Sequence, residues 1–590
     1  MPKLTMSNSG DTPEITPDAA SNRTERRLVG AMIAAALFLT SFSALLGYAL
    51  VPPGMQFVGS AYNIDDFNVY LSWLHQTTDG QFFQHNLFTT DPQPSLLFSF
   101  LFSLMGLIAR VTHLPLAIVL HLTRIAGGWG LLWLAYRFIT LCFPKDRVAR
   151  LASLGFLCFS SGLGWMHWSQ WSDKNPPGAP IDAFQPEAYT FLSLYLSPLF
   201  TVSTLLILGT LYGLLLSFRT GRMRYASIAG LCGFVLGNIH SYDVFHIAAA
   251  WGLFLVVWTI WKRGRAVARV WAHAVWALAL TMPTTLYIYY IYRTNAVFNE
   301  RAHSLTLSPP LWQYVLGYGL VFFLAVCALV LAWRYSRAKS RLADAIGMPA
   351  PRGEAGTFWG WSNGTTLMFV ACWAVAGLCV IHLPFNFQRK MLMGEHIPLC
   401  ILAGWAASTL TQQLAPRARY AVVSLLVLLT FPSNALFLVR DANHLQVNSS
   451  ETSQWPFLNA NYLAVADWLT RNTPQGAAIA MSPIEALYLP GMTGRTVWAG
   501  HWSETPHYGE TIQAFTRFSG SETADSDRRD FLKSTRAQYL VYPKDVSKMA
   551  YTTHSGQTRT FTDFAASPPP YLIPVYSNDG YAVFQIDLAK

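Results

Sequence analysis

Leu28 to Leu50 reads LVGAMIAAALFLTSFSALLGYAL, a run without a single charged residue. At a rise of 1.5 Å per residue, a helix of this length crosses the hydrocarbon core of a bilayer. Arg23, Arg26 and Arg27 stand just before the run, and such a basic cluster is typical of the cytoplasmic side. The run is too long for a signal peptide and lacks a small-residue cleavage site, so we expect a retained anchor.

Two adjacent carboxylates follow this anchor, within the sequence Asn63-Ile64-Asp65-Asp66-Phe67. Because the N-terminus is expected in the cytoplasm, the pair emerges on the far side and close to the membrane surface. Neighbouring like charges tend to raise a pKa, which suits a general base, and paired carboxylates also suit a divalent cation. For any single acid of the outer loops, a plain solvating role is the alternative. The placement of this pair suggests chemistry on a lipid-borne substrate.

The composition sets the class of protein. Of the 590 residues, 52% are apolar and only 12% are charged, with a formal net charge of +10. Long apolar runs recur along the first three quarters, which indicates a polytopic membrane protein. Most Lys and Arg lie in short loops between these runs, so they set orientation and do not indicate a nucleic-acid partner. The seven cysteines all lie in or beside apolar segments, which argues against a disulfide framework or a Cys metal site.

The apolar runs predict about eleven membrane crossings, with alternating basic and acidic loops. Leu96 to Ile108 is apolar but short, and we interpret it as an interfacial or re-entrant helix. The predicted crossings are Leu28 to Leu50, Leu116 to Leu141, Val148 to Trp165, Phe191 to Ser217, a short span to about Ile239, Val244 to Trp261, Val270 to Tyr290, Leu311 to Trp333, Phe358 to Leu383, Ile397 to Leu410 and Tyr420 to Val439.

Three regions follow from this pattern. Residues 1–27 form a cytoplasmic, partly disordered tail, and 28–439 form the multi-span part, with a first outer loop at 51–115. Residues 440–590 carry no spanning segment and are long enough for one small extracytoplasmic α/β domain. In that domain we predict a helix at Tyr462 to Arg471 and strands at Ala477 to Met481, Gln538 to Val541 and Tyr581 to Ile586.

Two cations on an outer loop, Arg389 and Lys390, run against the orientation bias. Arg offers a forked donor and Lys a point charge, so the two suit a phosphate held at the membrane surface. Snorkelling toward lipid headgroups is an equally weighted alternative. Arg301 invites the same two interpretations.

In the C-terminal region, the stretch from Gly494 to Thr505 is rich in donors and aromatic rings. Its Arg495, His501 and Glu504 are our candidates for contacts with a sugar or phosphate from above. Alternatively, the stretch is a strand and loop that docks the domain onto the membrane part.

This arrangement resembles the GT-C class of membrane glycosyltransferases, which includes protein mannosyltransferases and aminoarabinose transferases. The likeness lies in the cytoplasmic N-terminus, the single span, and the outer loop with adjacent acids and an interfacial helix. The tail is also similar to that of large bacterial members, in the segments LTRNTP (469–474), LPGMTGR (489–495) and Gly500-His501.

The resemblance implies a transferase that uses a polyprenyl-phosphate-linked sugar on the outer side of the plasma membrane. It implies that Asp66 or Asp65 acts as the base on an acceptor, which is a glycan, a lipid or a protein. Some members hold a divalent metal with acids of the second outer loop, which would here be Mg²⁺ or Mn²⁺ at Asp182 and Glu187. The spacing of these two acids does not match a DxD or ExD pattern.

Two other functions stay open at the sequence level. A transporter or flippase of lipid-linked sugar would favour charges deep in the spans and inverted repeats. Few charges lie deep in the predicted spans, Arg124 being the clearest, and no repeat is visible. The third reading is a component of polysaccharide assembly that binds lipid-linked sugar without transferring it.

Overall fold

The computed structural model describes residues 19–167, 180–262, 265–302, 305–345, 364–446, 455–546 and 560–589. Most of the N-terminal tail predicted to be disordered lies outside these ranges. The protein is mainly helical, with a small α/β part near the C-terminus, as the sequence predicts. Up to residue 446 the longer helices are α1 (Ala19–Ala49), α2 (Ile64–Thr78), α3 (Phe100–Thr112), α4 (Leu116–Cys142), α5 (Arg147–Phe159), α6 (Thr190–Leu196), α7 (Pro198–Thr220), α8 (Met223–Ile239), α9 (Asp243–Lys262), α10 (Arg265–Thr294), α11 (Ala296–Ala302), α12 (Leu311–Ala345), α13 (Gly364–Val380), α14 (His396–Leu410), α15 (Pro416–Leu429) and α16 (Pro432–Gln446).

Seven described helices are long and apolar enough to cross a bilayer, and the bent pair α15 and α16 raises the number to eight. The protein is thus a multi-pass membrane protein, but the predicted count of about eleven is not confirmed. The other three predicted crossings correspond to α8, α13 and α14, with 17, 17 and 15 residues. At 1.5 Å per residue, α8 and α14 fall short of the roughly 30 Å hydrocarbon core. The first residues of the predicted crossing from Phe358 to Leu383, which contains α13, lie outside the described ranges.

Prolines divide two of the predicted crossings. Ser197 is extended, with φ −158° and ψ 161°, so the run predicted from Phe191 to Ser217 forms α6 and α7 instead of one helix. Pro432 begins α16, which is bent by 45° from α15. The residue before a proline is pushed out of the helical region, while proline itself fits the first helical position. Apolar periodicity alone did not predict these breaks.

The short helix α3 confirms one local prediction. It has 13 residues, and about 20 Å of helix is too short to cross a bilayer. Its buried face packs against α2, the helix that begins at the acid pair. Its interfacial or re-entrant placement in a membrane stays a prediction.

The C-terminal part contains the predicted helix and all three predicted strands. A five-stranded mixed sheet has parallel pairing at one edge and antiparallel pairing at the other. The helices are α17 (Ala460–Asn472), α18 (Leu489–Thr493), α19 (Tyr508–Ser519) and α20 (Asp525–Thr535). In spatial order, the strands are Thr496–Val497, Ala478–Ala480, Tyr539–Pro543, Tyr581–Ile586 and Leu572–Ser577.

The first outer loop and the C-terminal part pack as one unit. Strand Met55–Phe57 pairs antiparallel with Phe457–Asn459. A single apolar cluster contains buried residues of α2, α3 and α17 together with Val541 and Val583 of the sheet. The side chain of Asn86 donates to the carbonyl of Glu504 at 2.7 Å. The acid pair and the C-terminal part therefore lie on the same side of the helical bundle, while the domain boundary at residue 440 stays a prediction.

Candidate active site

The acid pair lies in the first turn of α2. Asn63 precedes the helix in the left-handed conformation, with φ 53° and ψ 45°, which asparagine tolerates better than most residues. Its side-chain amide donates to Asp66 Oδ2 at 2.8 Å. Carboxylates in the first turn also interact favourably with the helix dipole. The turn at Asn63 thus fixes the direction in which the two carboxylates leave the helix.

Asp65 accepts a hydrogen bond from the C-terminal part. The indole Nε1 of Trp502 donates to Asp65 Oδ2 at 2.8 Å, across 437 residues of sequence. Burial, and next the neighbouring charge of Asp66, raise the pKa of Asp65 to about 6. The Trp502 hydrogen bond acts in the opposite direction because it stabilises the charged form. The repulsion expected from the sequence is thus present, although burial is the larger cause.

Asp66 faces His501. Its side chain is 32% exposed, and its Oδ1 lies 3.6 Å from Nε2 of the buried His501 ring. The other ring nitrogen, Nδ1, accepts from the backbone N–H groups of Ser503 and Glu504 at 3.1 and 3.2 Å. The proton of the neutral ring is therefore on Nε2 and points toward Asp66. At 3.6 Å this contact is longer than a hydrogen bond, and the Asp66 carboxylate stays accessible.

The segment that carries His501 and Trp502 is fixed to the first outer loop. The hydroxyl of Thr505 donates to the Phe88 carbonyl at 2.7 Å and accepts from the Gly500 backbone N–H at 3.0 Å. Glu504 is buried, and its carboxylate accepts from Asn86 at 3.3 Å. The sequence left two alternatives for this stretch, contact with a ligand or docking of the C-terminal part onto the membrane part. The structure shows contacts of the docking kind, with the first outer loop. Docking also places His501 and Trp502 over the acids.

Two cations act electrostatically on Tyr62, which lies three residues before Asp65. Burial raises the pKa of the Tyr62 phenol, and the nearby positive charges of Arg440 and Arg389 oppose that effect. The negative charge of Asp65 reaches the same phenol. Arg440 Cζ lies 4.7 Å from the Tyr62 ring centroid, and Arg389 Cζ lies 5.8 Å from that of Phe184. Tyr62 and Phe184 line the same small apolar cavity.

Arg440 is a site candidate that the sequence reasoning missed. The signal was available, because a cation directly after a span that is expected to end outside defies the orientation bias, as Arg389 and Lys390 do. Part of its charge is offset by Asp441, whose Oδ1 accepts from it at 2.8 Å. Arg389 has no such salt bridge among the described residues, and its buried Nε has no hydrogen-bond partner there.

Lys390 contacts a different aromatic ring from Arg440 and Arg389. Lys390 Nζ lies 4.9 Å from the ring centroid of Tyr242 and contacts a different part of the loop surface. Arg301 belongs to α11, but its side chain lies outside the described residues. Both stay predictions as phosphate ligands.

Arg495 does not join the site, which corrects the sequence-based assignment. Its guanidinium donates to the carbonyls of Thr470, Thr473 and Thr493 and to the Thr473 hydroxyl, at 2.8 to 3.0 Å. The charge of Asp79 at the far end of α2 acts on it, about 20 Å along the helix from Asp66. Arg495 is a structural residue that binds the carbonyls ending α17.

The described residues show no metal site at Asp182 and Glu187. Asp182 accepts from the backbone N–H groups of Gly162 and Gly164, both at 3.0 Å, so it ties its loop to the end of α5. Glu187 is buried near the charge of Asp243 instead. Within the described ranges, no three His, Cys, Asp or Glu side chains come together as a metal site. The divalent cation expected at Asp182 and Glu187 has no support in this geometry, and we derive no step through it.

Solved structures show the fold class of this arrangement. The arabinofuranosyltransferase AftD from Mycobacteria superimposes with a TM-score of 0.51 over 95% of this chain, at 15% identity. The chain has the fold of the GT-C membrane glycosyltransferases. It spans 40% of the length of AftD. The expected GT-C resemblance is thereby confirmed at the level of the fold.

A second similar structure is the oligosaccharyltransferase of Archaeoglobus fulgidus. Its TM-score is 0.49 at 12% identity, with 95% of this chain and 74% of that enzyme covered. No protein-family model and no curated protein matches the sequence. The GT-C fold is thus recognised from the structure and not from sequence similarity.

Proposed function

We propose that the protein is a membrane glycosyltransferase that moves a sugar from a polyprenyl-phosphate donor to an acceptor hydroxyl on the extracytoplasmic face. The observation that carries the proposal is the acid pair at the N-terminus of α2, which contacts His501 and Trp502, while the charge of Arg389 acts on Tyr62 three residues before Asp65. A GT-C fold is compatible with this chemistry but does not define it.

Asp66 is the base in this mechanism because it is the more accessible carboxylate. It takes the proton of the acceptor hydroxyl while the hydroxyl oxygen attacks the anomeric carbon of the sugar. The bond from that carbon to the phosphate oxygen breaks, through a transition state that resembles an oxocarbenium ion. The bonding pair leaves with the lipid phosphate, where the Arg389 guanidinium stabilises the negative charge.

Asp65 sets the pH dependence in this mechanism. With a pKa of about 6, its carboxylate becomes protonated as the pH falls through 6, and the site then loses a negative charge that attracts the acceptor proton. We expect the transfer rate to fall below pH 6. Asp65→Asn should retain part of the activity and lose this fall.

Trp502→Phe provides the matched comparison for the pH profile. It removes the donor that stabilises charged Asp65, so the fall should move to higher pH. Initial transfer rates between pH 4.5 and 8 are measured for the wild type, Asp65→Asn and Trp502→Phe. A profile that is the same in the wild type and in Asp65→Asn would contradict the role of Asp65.

The donor assignment is tested by identifying lipid that co-purifies with the protein. After extraction in a mild detergent, mass spectrometry should detect a polyprenyl phosphate or its sugar conjugate bound to the wild type. Arg389→Ala should carry much less of it, and the surface variant Arg471→Ala should carry the wild-type amount. Co-purification of ordinary phospholipids alone, equal in all three proteins, would contradict a polyprenyl-phosphate donor.

A further inference from the structure

A cleft of about 650 Å³ opens beside the acid pair. One wall is formed by Val297 and Glu300 of α11, and the other by residues 502–510 and Gln513 of the C-terminal part. The cleft volume is in the range of small-molecule sites. Its position between two separate parts of the chain is typical of substrate clefts.

The lining has one aromatic platform and several acids. Trp502 is 56% exposed, although its Nε1 is bound to Asp65. The charged or titratable side chains of the described lining are Glu300, Glu504, Glu510, His507 and Tyr508, with no Lys or Arg among them. The His507 ring lies 3.5 Å from Glu300 and 3.9 Å from Glu510. Carboxylates accept hydrogen bonds from hydroxyl and ammonium groups and repel anions. An exposed Trp face offers a flat, rigid contact surface for a sugar ring.

The charges around the acid pair are divided between two sides. The charges of Arg389 and Arg440 act on Tyr62, and Arg440 Cζ lies 4.7 Å from its ring centroid. The acids of the cleft lie between α11 and the C-terminal part, and neither of the two cations belongs to the described cleft lining. A phosphate-bearing donor is therefore attracted to one side, and a ligand without negative charge is tolerated on the other.

We infer that this cleft is the acceptor site and that it takes a carbohydrate that is uncharged or carries an amine. Calling the ligand an acceptor rests on the proposed glycosyl transfer. The binding of carbohydrate in the cleft does not depend on that proposal. A ligand seated on Trp502 lies next to the acids, since the same indole binds Asp65. Acceptors with a phosphate, sulfate or carboxylate near the reacting hydroxyl are excluded by the lining. A basic peptide is the competing class that an acidic cleft attracts.

Equilibrium binding of small probes to the full chain in lipid nanodiscs tests this inference. The probes are maltotriose as a neutral sugar, a glucosamine trimer as a cationic sugar, a sulfated maltotriose and trilysine. We expect the first two to bind and the sulfated sugar to bind at least about tenfold more weakly. Trp502→Ala should weaken the binding of both of these sugars by about tenfold or more, which is a usual loss for a central Trp contact.

A charge-reversed variant provides the second arm. Glu300→Lys combined with Glu510→Lys should reverse the preference between the glucosamine trimer and the sulfated sugar. Glu522→Lys, on an exposed acid outside the cleft lining, should change neither affinity. Thermal unfolding and retention of the co-purified lipid establish that the variants are folded.

The outcomes separate this inference from the proposed function. Sugar binding that depends on Trp502, in a protein that transfers nothing, would overturn the proposed function and keep the cleft as a carbohydrate site. Active transfer with sugar binding unchanged in Trp502→Ala and in the charge-reversed variant would overturn the inference alone. Preferred binding of trilysine or of the sulfated sugar, or no binding of any probe, would also overturn it.

Discussion

Asp66→Asn should lower the rate of sugar transfer by about 10²- to 10⁴-fold, the usual contribution of a positioned general base. Asparagine has the same shape, and its side-chain oxygen can still accept from Asn63, which donates to Asp66 at 2.8 Å. The helix N-terminus should therefore persist, and only the proton acceptor is lost. Initial rates at saturating donor and acceptor measure the effect, with thermal unfolding as the check on folding.

The matched control for this variant is Asp79→Asn. Asp79 ends the same helix, and its side chain is 26% exposed, about 20 Å from Asp66 along the helix axis. Its replacement should leave the rate close to that of the wild type. If Asp66→Asn and Asp65→Asn both retained wild-type rates, neither carboxylate would be the base.

Arg389→Ala should raise the donor concentration needed for half-maximal rate by about 10- to 100-fold. A hydrogen bond to a charged group contributes roughly 1.5–3 kcal/mol, and about 1.4 kcal/mol corresponds to a tenfold change. The half-buried Arg389 beside Tyr62 and Phe184 is placed to contribute in this way. Titration of the lipid donor at fixed acceptor measures the shift.

Two further variants define what this result means. Arg471→Ala removes a cation that is 74% exposed and paired with Asp467 at 2.9 Å; surface pairs of this kind contribute little, so donor dependence should not change. Lys390→Ala should have a smaller effect than Arg389→Ala, because Lys390 lies over Tyr242. If the donor dependence of Arg389→Ala were unchanged, the alternative would hold for Arg389 and Lys390, namely that they extend toward lipid headgroups.

The helical framework was predictable because it depends on local composition. A run of apolar residues such as Leu28 to Leu50 has one stable form in a bilayer, a helix with all its backbone groups paired. Breaks such as the one at Ser197 depend on a single proline within an otherwise uniform run. The predicted count of about eleven is not confirmed among the described residues, where α8 and α14 are short for full spans.

The contacts of the site were only partly predictable. The acid pair was recognised from its place after the first span, and the stretch around His501 from its chemistry. Their contact joins residues 437 positions apart, and no sequence periodicity specifies such a pairing. Whether a polar side chain serves the fold or a ligand depends on its three-dimensional neighbours. Arg495 and Asp182 were assigned to ligands for this reason, although both bind backbone groups.

Transfer of radiolabel from a polyprenyl-phosphate sugar is the most direct test of the account. The purified protein is reconstituted in vesicles with labelled donor and offered candidate acceptors. We predict that the label becomes covalently attached to an acceptor in the wild type and not in Asp66→Asn. Labelled donor that crosses the vesicle membrane chemically unchanged, with no labelled acceptor, would identify a transporter and contradict the account.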